Sequence, residues 1–297
     1  MSNFYNIPLD DLKNIPSVPI ILRKLMKILE NSDVPIDEIV QVISLDPLLS
    51  AKTLALANSA YYGASKRIVS ITQAVTRLGT SEIKKLAISI YFGRMFESLS
   101  LNNLTVKRFW THSIATAFIS NRIINYLIDD LSVYTAEKDQ FYLLGLLHDI
   151  AYLILDAYLP EKVEIIINAL ERNEKRGLLQ TEQELGFFHA REGANLLRFW
   201  EIPDSIATPI EYHHTPSECS GDFSMRAGIL SVADWISNHL EFSVFGRQEV
   251  IQRDNLFWKK FQFSKFSEEE LDNFWEDLKS QTLMFLLFSE SIIDLRR

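Results

Sequence analysis

Residues 141–156 read FYLLGLLHDIAYLILD, a run that is apolar on every side and carries His148 and Asp149 in its middle. A helix that is hydrophobic all round lies in a protein core, so we expect one buried helix here. Sixteen residues are too few to cross a bilayer comfortably. Burying two ionisable side chains is costly unless a metal, a partner charge or a hydrogen-bond network satisfies them. The pair therefore predicts a compensating polar site inside the core.

The composition is that of a globular protein with one large or two medium domains. The chain has 297 residues, 47% of them hydrophobic and 23% charged. Only 10 Gly and 9 Pro are present, which disfavours all-β folds, and a net charge of −9 argues against sequence-independent binding of nucleic acid. A lone cysteine, Cys219, excludes an intrachain disulfide. Because we find neither a secretory signal nor an apolar run of spanning length, we expect a soluble, cytoplasmic, all-α protein without a membrane span.

The first hundred residues predict about five short helices in a compact bundle. Two prolines precede an apolar pattern at residues 20–30, and Pro35 suits the first turn of the next helix. Asp46-Pro47 combines an N-cap with proline at the first helical position. Two further helices are predicted over Ser70–Gly79 and Thr80–Phe96. The polar segment 98–104 is the best candidate boundary, so we divide the chain into an N-terminal subdomain (1–100), a second subdomain (101–240) and a C-terminal extension (241–297).

The second subdomain and the extension are also predicted to be helical. A capping box, Ser267 with Glu270, starts a helix that should end at Lys279, and another should begin at Gln281. We expect most aromatic side chains of the extension to close the core. The helices predicted before it are Thr105–Leu127, residues 160–176, a helix from Thr181 through His189 to Trp200, a short helix from Pro203-Asp204 to His213-His214, and Phe223–Leu240.

Ionisable side chains recur on the apolar stripes of these helices. His112 lies in register with Thr116 and Ile119, and His189 with Gly193, whose lack of a side chain would let another helix approach. Asp234 occupies an apolar stripe in the same way. Each residue alone is more often a satisfied buried hydrogen-bonding group than a ligand. Together, imidazoles and carboxylates suit Zn, Fe or Mn, and one shared core would bring them together.

Ordered motifs in both halves resemble the HDOD family, the regulatory relatives of the HD-domain metal-dependent phosphohydrolases. The resemblance covers nearly everything from residue 15 to about 240, and the extension has no matching motif. It rests on IPSVP (15–19), SLDPLLSAKTLALANSAYYG (44–63), SITQAVTRLGTSEIKKL (70–86), FWTHSIATA (109–117), GLLHDIAYLIL (145–155), HAREGANLLRFWEIPDSIATPIEYHH (189–214) and VADWIS (232–237).

The resemblance implies an HD-like helical bundle joined to an N-terminal helical subdomain, with a candidate metal site in the second subdomain. The HD superfamily's core ligands would map to His112, His148, Asp149 and Asp234. A second metal or a phosphate would map to His189, His213 and His214, and the resemblance leaves open which of the last two corresponds. The implied cofactor is a divalent transition metal, Fe, Mn, Zn or Ni.

The His-Asp motif departs from that of the HD-GYP branch, which cleaves cyclic di-GMP. The branch has HDIGK followed by a GYP signature, whereas this chain reads HDIAY with no GYP, so Ala151 and Tyr152 stand where a glycine and a phosphate-contacting lysine would be. Losing that cation weakens the case for phosphodiester substrates. Arg191 or Arg198 could replace it, although solvated helix faces explain both more simply.

Three functions follow from the resemblance and its departures. The favoured one is a signal-transduction output module that binds a signalling protein or a ligand without turnover, for which we assign no catalytic residue. The alternative is a metal-dependent phosphohydrolase acting on a nucleotide or a cyclic dinucleotide. A third is a sensor that binds a nucleotide in the same pocket without cleaving it.

Overall fold

The all-α architecture is confirmed, because every regular element among the described residues is a helix. The computed structural model describes residues 35–59, 62, 67–96, 99–127, 138–172, 177–245, 255–261 and 267–293. The helix predicted at residues 20–30 lies outside them. The helices are α1 Ile36–Ser44, α2 Pro47–Ala57, α3 Ile71–Leu78, α4 Thr80–Met95, α5 Val106–Leu127, α6 Lys138–Leu147, α7 Ala151–Tyr158, α8 Pro160–Glu171, α9 Leu178–Glu184, α10 His189–Phe199, α11 Asp204–Glu211, α12 Phe223–His239, α13 Asn255–Lys260 and α14 Glu268–Ile293, with a 3₁₀ helix at Pro216–Glu218.

Local signals start and stop the N-terminal helices as predicted. The Asp46 carboxylate accepts hydrogen bonds from the backbone N–H groups of Leu48 and Leu49, at 2.8 and 2.9 Å, and so caps α2. The Tyr91 hydroxyl of α4 donates to the same carboxylate at 2.9 Å, which ties two helices together. Gly79, with φ of 79°, ends α3 in a conformation that glycine adopts without strain. Capping and tertiary contact therefore coincide at Asp46.

The single helix predicted over residues 141–156 is wrong, because the structure contains two. The first, α6, ends at Leu147, a turn covers residues 148–150, and α7 begins at Ala151. The Nδ1 atom of His148 lies 2.9 Å from the carbonyl oxygen of Gly145, so the ring folds back along the end of α6. His148 and Asp149 thus occupy the turn between two buried helices.

The expectation that no apolar run reaches spanning length needs a correction. Residues Gln140–Tyr158 are long and apolar enough to cross a membrane by length and composition, with a hydropathy of 1.3 over 19 residues. However, 89% of that window is buried inside the protein. A core helix of a globular protein passes the same test, so this run is weak evidence for a membrane span.

Helix α5 lies at the centre of the second subdomain, where it packs along both α6 and α12. A Cβ atom added at Gly145 of α6 would lie 2.4 Å from the backbone N and Cα atoms of Ala117 in α5, so the two backbones nearly touch. At Gly193 of α10 an added Cβ would be 3.5 Å from the nearest atom, the carbonyl oxygen of His148, which is ordinary contact. We expected a glycine to be needed at Gly193 for the close approach of another helix. The structure instead requires a glycine at Gly145, where α5 and α6 meet.

Residues 102–104, which belong to the segment predicted as a boundary, are attached to α7 by a buried carboxylate. Asp156 of α7 is 0% exposed and accepts backbone N–H bonds from Asn102, Asn103 and Leu104 at 2.9 to 3.1 Å. The side-chain amide of Asn103 adds another at 2.8 Å. A buried carboxylate is stabilised by donors of this kind. The division of the chain at residues 100 and 240 stays a prediction.

Two further predictions are wrong in the number of helices that they give for a segment. The helix predicted from Thr181 to Trp200 is broken into α9 and α10, because Gly186 adopts a φ of 65° and the Phe187 N–H turns back to the Glu182 carbonyl at 2.9 Å. The two helices predicted after Ser267 are one, α14, since no glycine or proline interrupts it. The capping box itself is confirmed, with the Ser267 N–H donating to the Glu270 carboxylate at 2.8 Å.

Aromatic residues of the extension pack onto the body of the protein as expected. The ring of Phe285 stacks on Phe118 of α5 at 5.0 Å, and Trp258 meets Trp235 of α12 edge-on at 5.3 Å. Phe257 lies against Gly228 of α12, where an added Cβ would fall 2.1 Å from the ring. The described aromatics of the extension therefore contribute to the core.

Replacing the α2 cap should destabilise the protein in a pH-dependent way. Partial burial opposes ionisation of Asp46, but the bonds from Leu49, Tyr91 and Leu48 outweigh it, so the pKa of this carboxyl lies below 3.8. Because the folded-state pKa is lowered, the stabilisation is present above the unfolded-state pKa near 3.8 and is lost as the pH falls from there through the lower folded-state pKa. We expect Asp46→Ala to cost about 1 kcal/mol in urea unfolding at pH 7. Asp46→Asn, which still caps but is uncharged, should cost less, and equal losses for both variants would contradict the capping argument.

The α5–α6 contact should not tolerate a methyl group. We expect Gly145→Ala to lower the free energy of unfolding by about 3 kcal/mol, because the new Cβ meets backbone atoms that cannot rotate away. Gly193→Ala is the matched control, since it is also a helical glycine beside His148 but has room for a Cβ. Denaturant unfolding of both variants measures the difference, and comparable stability for the two would show that α5 and α6 can separate freely.

Candidate metal centre

The seven ionisable residues predicted as site residues lie together in the second subdomain. They come from α5, the α6–α7 turn, the start of α10, the turn after α11, and α12. All are buried except His214, which is half-buried. Each of three groups offers ligand atoms within 4.8 Å of one another: His112 with His148 and Asp149, His148 with His213 and Asp234, and His189 with His213 and His214.

Four of these side chains form a compact first group. The Nε2 atom of His112 is 3.1 Å from that of His148, 3.3 Å from Asp149 Oδ2 and 3.2 Å from Asp234 Oδ1. The Nε2 atom of His148 is likewise 3.3 and 3.5 Å from the two carboxylates. Two imidazole nitrogens and two carboxylate oxygens therefore face one point, which is a donor set typical of transition-metal sites.

A second group lies beside the first and is joined to it by Asp149. The Nε2 atom of His189 is 2.9 Å from Nε2 of His214 and 3.4 Å from Asp149 Oδ1. The ring of His213 is 5.2 Å from that of His148 and 3.9 Å from that of His214, measured between centroids. One oxygen of Asp149 thus faces each group, so the carboxylate could serve two adjoining ions.

Backbone carbonyls determine the tautomers of three histidines. Because a carbonyl oxygen only accepts, each Nδ1 carries the hydrogen, and in the neutral ring Nε2 presents its lone pair to the cluster. Metal-binding histidines use this arrangement, with the second nitrogen donating to a carbonyl or a carboxylate. The Nδ1 contacts are His112 to Phe242 O (2.5 Å), His148 to Gly145 O (2.9 Å) and His213 to Ile210 O (2.7 Å).

Two details show that a cation fits this cluster. The Nε2 atoms of His112 and His148 face each other at 3.1 Å, and two lone pairs at that distance repel unless a proton or a metal ion lies between them. The Nε2 atom of His213 is buried and has no hydrogen-bond partner among the described residues. A buried acceptor without a partner is costly, and coordination of an ion would satisfy it.

The electrostatics of the first group favour positive charge. Burial lowers the pKa of His148, but the carboxylates of Asp149 and Asp234 outweigh burial and raise it to about 9. The same carboxylates raise the pKa of His112 well above 6.5. In return the two imidazoles hold the pKa values of both aspartic acids below 3.8, against the opposing effect of burial. In the metal-free protein, protons therefore supply the charge that the carboxylates require.

In the second group, the imidazoles of His213 and His214 are kept neutral. Burial, followed by the nearby imidazoles of His214, His148 and His189, lowers the pKa of His213 well below 6.5. Burial and His189 lower the pKa of His214 to about 3. Both rings are therefore unprotonated at neutral pH, which is the form that coordinates a metal.

Two residues of this centre were not recognised from the sequence, Glu182 and Tyr152. Both oxygens of Glu182 lie near His189 Nδ1, at 2.7 and 2.8 Å, and the Tyr152 hydroxyl contacts the same nitrogen at 2.9 Å. Glu182 follows Leu178 by four residues and precedes Leu185 by three, so its place on the apolar stripe of α9 was an available signal. Tyr152 was interpreted only as the loss of a lysine.

The arginines considered as substitutes for that lysine lie in different settings. Arg198 is paired with Asp204 at 2.9 Å and with Glu211 at 2.8 Å, which accounts for its charge. The Arg191 guanidinium lies 5.1 Å from the ring centre of Phe188. It lines a cavity of about 530 Å³ that reaches His189 and His214. The second group is thus the side of the centre that a ligand could approach.

Comparisons with known proteins agree with the fold and the motifs. The HDOD domain profile matches residues 15–216. A crystal structure of an HDOD domain protein with unknown function from Geobacter sulfurreducens is 21% identical, covers 98% of each chain and gives a TM-score of 0.76. The crystal structure of a candidate phosphohydrolase from Shewanella amazonensis SB2B is 20% identical in sequence and gives a TM-score of 0.63. The match covers 97% of this chain and 92% of that protein's chain. At these identities the structures show the fold alone.

The similarity to curated sequences covers most of this chain but only part of the relative. An uncharacterized protein of Treponema pallidum (strain Nichols) is 29% identical over 273 residues, which are 91% of this chain and 50% of that protein. The chain therefore spans half the length of the curated relative that it matches. What the remaining half of that protein contributes has no counterpart in these residues.

Metal affinity should rise with pH, because an entering ion must displace protons from the first group. The pKa of His148 is raised to about 9 in the metal-free protein, so its proton is bound throughout the neutral range. Each displaced proton makes the affinity rise about tenfold per pH unit below that value. Competition with a chromophoric chelator for Zn²⁺ between pH 6.5 and 8 measures the slope. A flat profile, after correction for the chelator's own titration, would contradict the assignment.

Proposed function

Because the chain belongs to the HDOD family, we propose that it is a metal-binding signalling module that binds a ligand or a partner protein without turnover. The observation that supports metal binding best is the convergence of the Nε2 atoms of His112 and His148 on buried carboxylates, with His213 Nε2 lacking a partner among the described residues. A cytoplasmic setting and an unidentified signalling protein as partner belong to the same proposal.

The donor atoms divide naturally between two ions. His112, His148, Asp149 and Asp234 would hold the first, and the three remaining histidines, with the second oxygen of Asp149, would hold the other. The mixture of imidazole and carboxylate suits Fe, Mn, Zn or Ni. When bound, such an ion lowers the pKa of a coordinated water or polarises a phosphoryl oxygen. The chain's own contribution is to orient the imidazoles, because backbone carbonyls accept from the Nδ1 atoms of His112, His148 and His213.

The surroundings of the centre favour binding over turnover. Phosphoryl transfer depends on cations that neutralise the developing charge. Tyr152 stands where the HD-GYP lysine would be, and its hydroxyl contacts Glu182 and His189. Arg198 is neutralised by two carboxylates. Among the described residues that line the cavity, Arg191 is the one basic side chain besides histidine.

The second candidate function is a metal-dependent phosphohydrolase for a nucleotide or a cyclic dinucleotide. The cavity beside His189 and His214 supports it, because a pocket of about 530 Å³ suits a small ligand. The rings of Phe188 and Tyr212 offer surfaces on which a base could stack, and Arg191 offers a charge for phosphate. A nucleotide sensor would use the same features without cleavage.

One experiment separates these functions. The full chain is purified without a metal-affinity tag, its metals are assayed, and hydrolysis of nucleotides and cyclic dinucleotides is tested beside a His148→Ala/Asp149→Ala variant. We expect metal in the parent, little or none in the variant, and no turnover in either. Turnover that the variant lacks would support the phosphohydrolase instead.

The same variant reports on the stability of the centre. We expect it to be less stable than the parent, because His112 and Asp234 are left buried with fewer partners. Thermal unfolding with and without added metal measures this. A variant that is more stable than the parent, together with no metal in either protein, would show that the cluster no longer binds an ion.

A further inference from the structure

Tyr152, Glu182 and His189 form a buried unit on the outer side of the second group. The Tyr152 ring stacks on the imidazole of His189, with centroids 4.7 Å apart and planes inclined by 23°. Its hydroxyl donates to Glu182 and lies 2.9 Å from His189 Nδ1. The Glu182 oxygens are 2.7 and 2.8 Å from the same nitrogen, and the backbone N–H of His189 also points to Glu182, at 3.3 Å.

Among the described residues, the carboxylate of Glu182 forms hydrogen bonds only with the other two members of this unit. Glu182 and Tyr152 are both 0% exposed, so an ionised carboxylate there is costly unless strong donors surround it. Its hydrogen-bond partners among the described residues are the hydroxyl of Tyr152 and the ring and backbone nitrogens of His189. No lysine or arginine of the described chain pairs with it. The Nδ1–H of His189 is therefore its principal donor.

This contact determines what the other side of the imidazole offers. With hydrogen held on Nδ1, Nε2 presents a lone pair, and it faces His214 Nε2 at 2.9 Å and Asp149 Oδ1 at 3.4 Å. His189 is the first residue of α10 and follows two residues outside any helix, so no preceding helical turn holds its ring. The ring is held instead by stacking on one side and by the carboxylate at its edge.

We propose that Tyr152 and Glu182 are positioning residues that orient His189 and fix its tautomer, and so create the subsite for the second ion. This inference rests on the proposed metal-binding function. It also gives Tyr152 a positive role: the position that would contact substrate phosphate in the HD-GYP branch here supports a metal ligand. The first group does not depend on the unit, because Phe242 and Gly145 orient its histidines.

Titration of the metal-free full chain with Co²⁺ tests the proposal, with the absorption of the bound ion as the readout. The proteins compared are the parent, Tyr152→Phe, Glu182→Gln and a control, Tyr142→Phe. The control removes another buried hydroxyl, that of Tyr142, which lies outside the candidate centre. This hydroxyl is 3.0 Å from the hydroxyl of Ser89. We expect two ions in the parent and the control. Both test variants should keep the first affinity and weaken the second by about 10- to 100-fold.

The outcomes distinguish the inference from the function on which it rests. A parent that binds no ion contradicts the proposed function and with it the inference. A parent that binds one ion, or test variants that bind two as tightly as the parent, overturn the inference and leave metal binding intact. Equal weakening of both ions would reveal general damage and would also overturn it. If Glu182→Gln does not fold, Tyr152→Phe, which keeps the stacked ring, still decides the result.

Discussion

Two carboxylates and two imidazole Nε2 atoms share one dry point in the core, and this arrangement requires a positive charge. Asp149 and Asp234 are 4% and 2% exposed, so bulk water cannot stabilise their negative charge in its place. In the metal-free chain the requirement raises the pKa values of His112 and His148. The remaining structure of the second subdomain can be understood as the support that keeps these groups together despite the cost of burying them.

The packing of three helices, α5, α6 and α12, supplies that support. The backbones of α5 and α6 meet at Gly145, which places His112 opposite the turn that carries His148 and Asp149. Helix α12 packs along α5 and contributes Asp234. Carbonyls in the last turns of α6 and α11, and that of Phe242 just after α12, accept from the Nδ1 atoms, so groups at or near helix ends also set the tautomers. Geometry and protonation are therefore determined by one set of contacts.

The two halves of the centre differ in how they are built, and this difference bears on function. The first group is enclosed and charged, and it is oriented by backbone carbonyls. The second borders a cavity, keeps His213 and His214 neutral, and depends on side chains, Tyr152 and Glu182, to orient His189. An enclosed ion suits a structural role, whereas an ion beside a cavity can meet a ligand.

The sequence alone determined the helical class, the Asp46 cap, the Ser267–Glu270 capping box and the residue types of the candidate metal centre. These depend on short-range periodicity and on ionisable groups in apolar runs, both visible along the chain. Only the tertiary structure decided that the chain turns at His148 and that Glu182 supports His189, whereas the break at Gly186 follows locally from the glycine itself. A helix with apolar residues on every side carries no local signal for a break. Which carbonyl or carboxylate meets a given imidazole depends on how distant helices pack, because a buried polar group is satisfied by whatever the fold brings beside it.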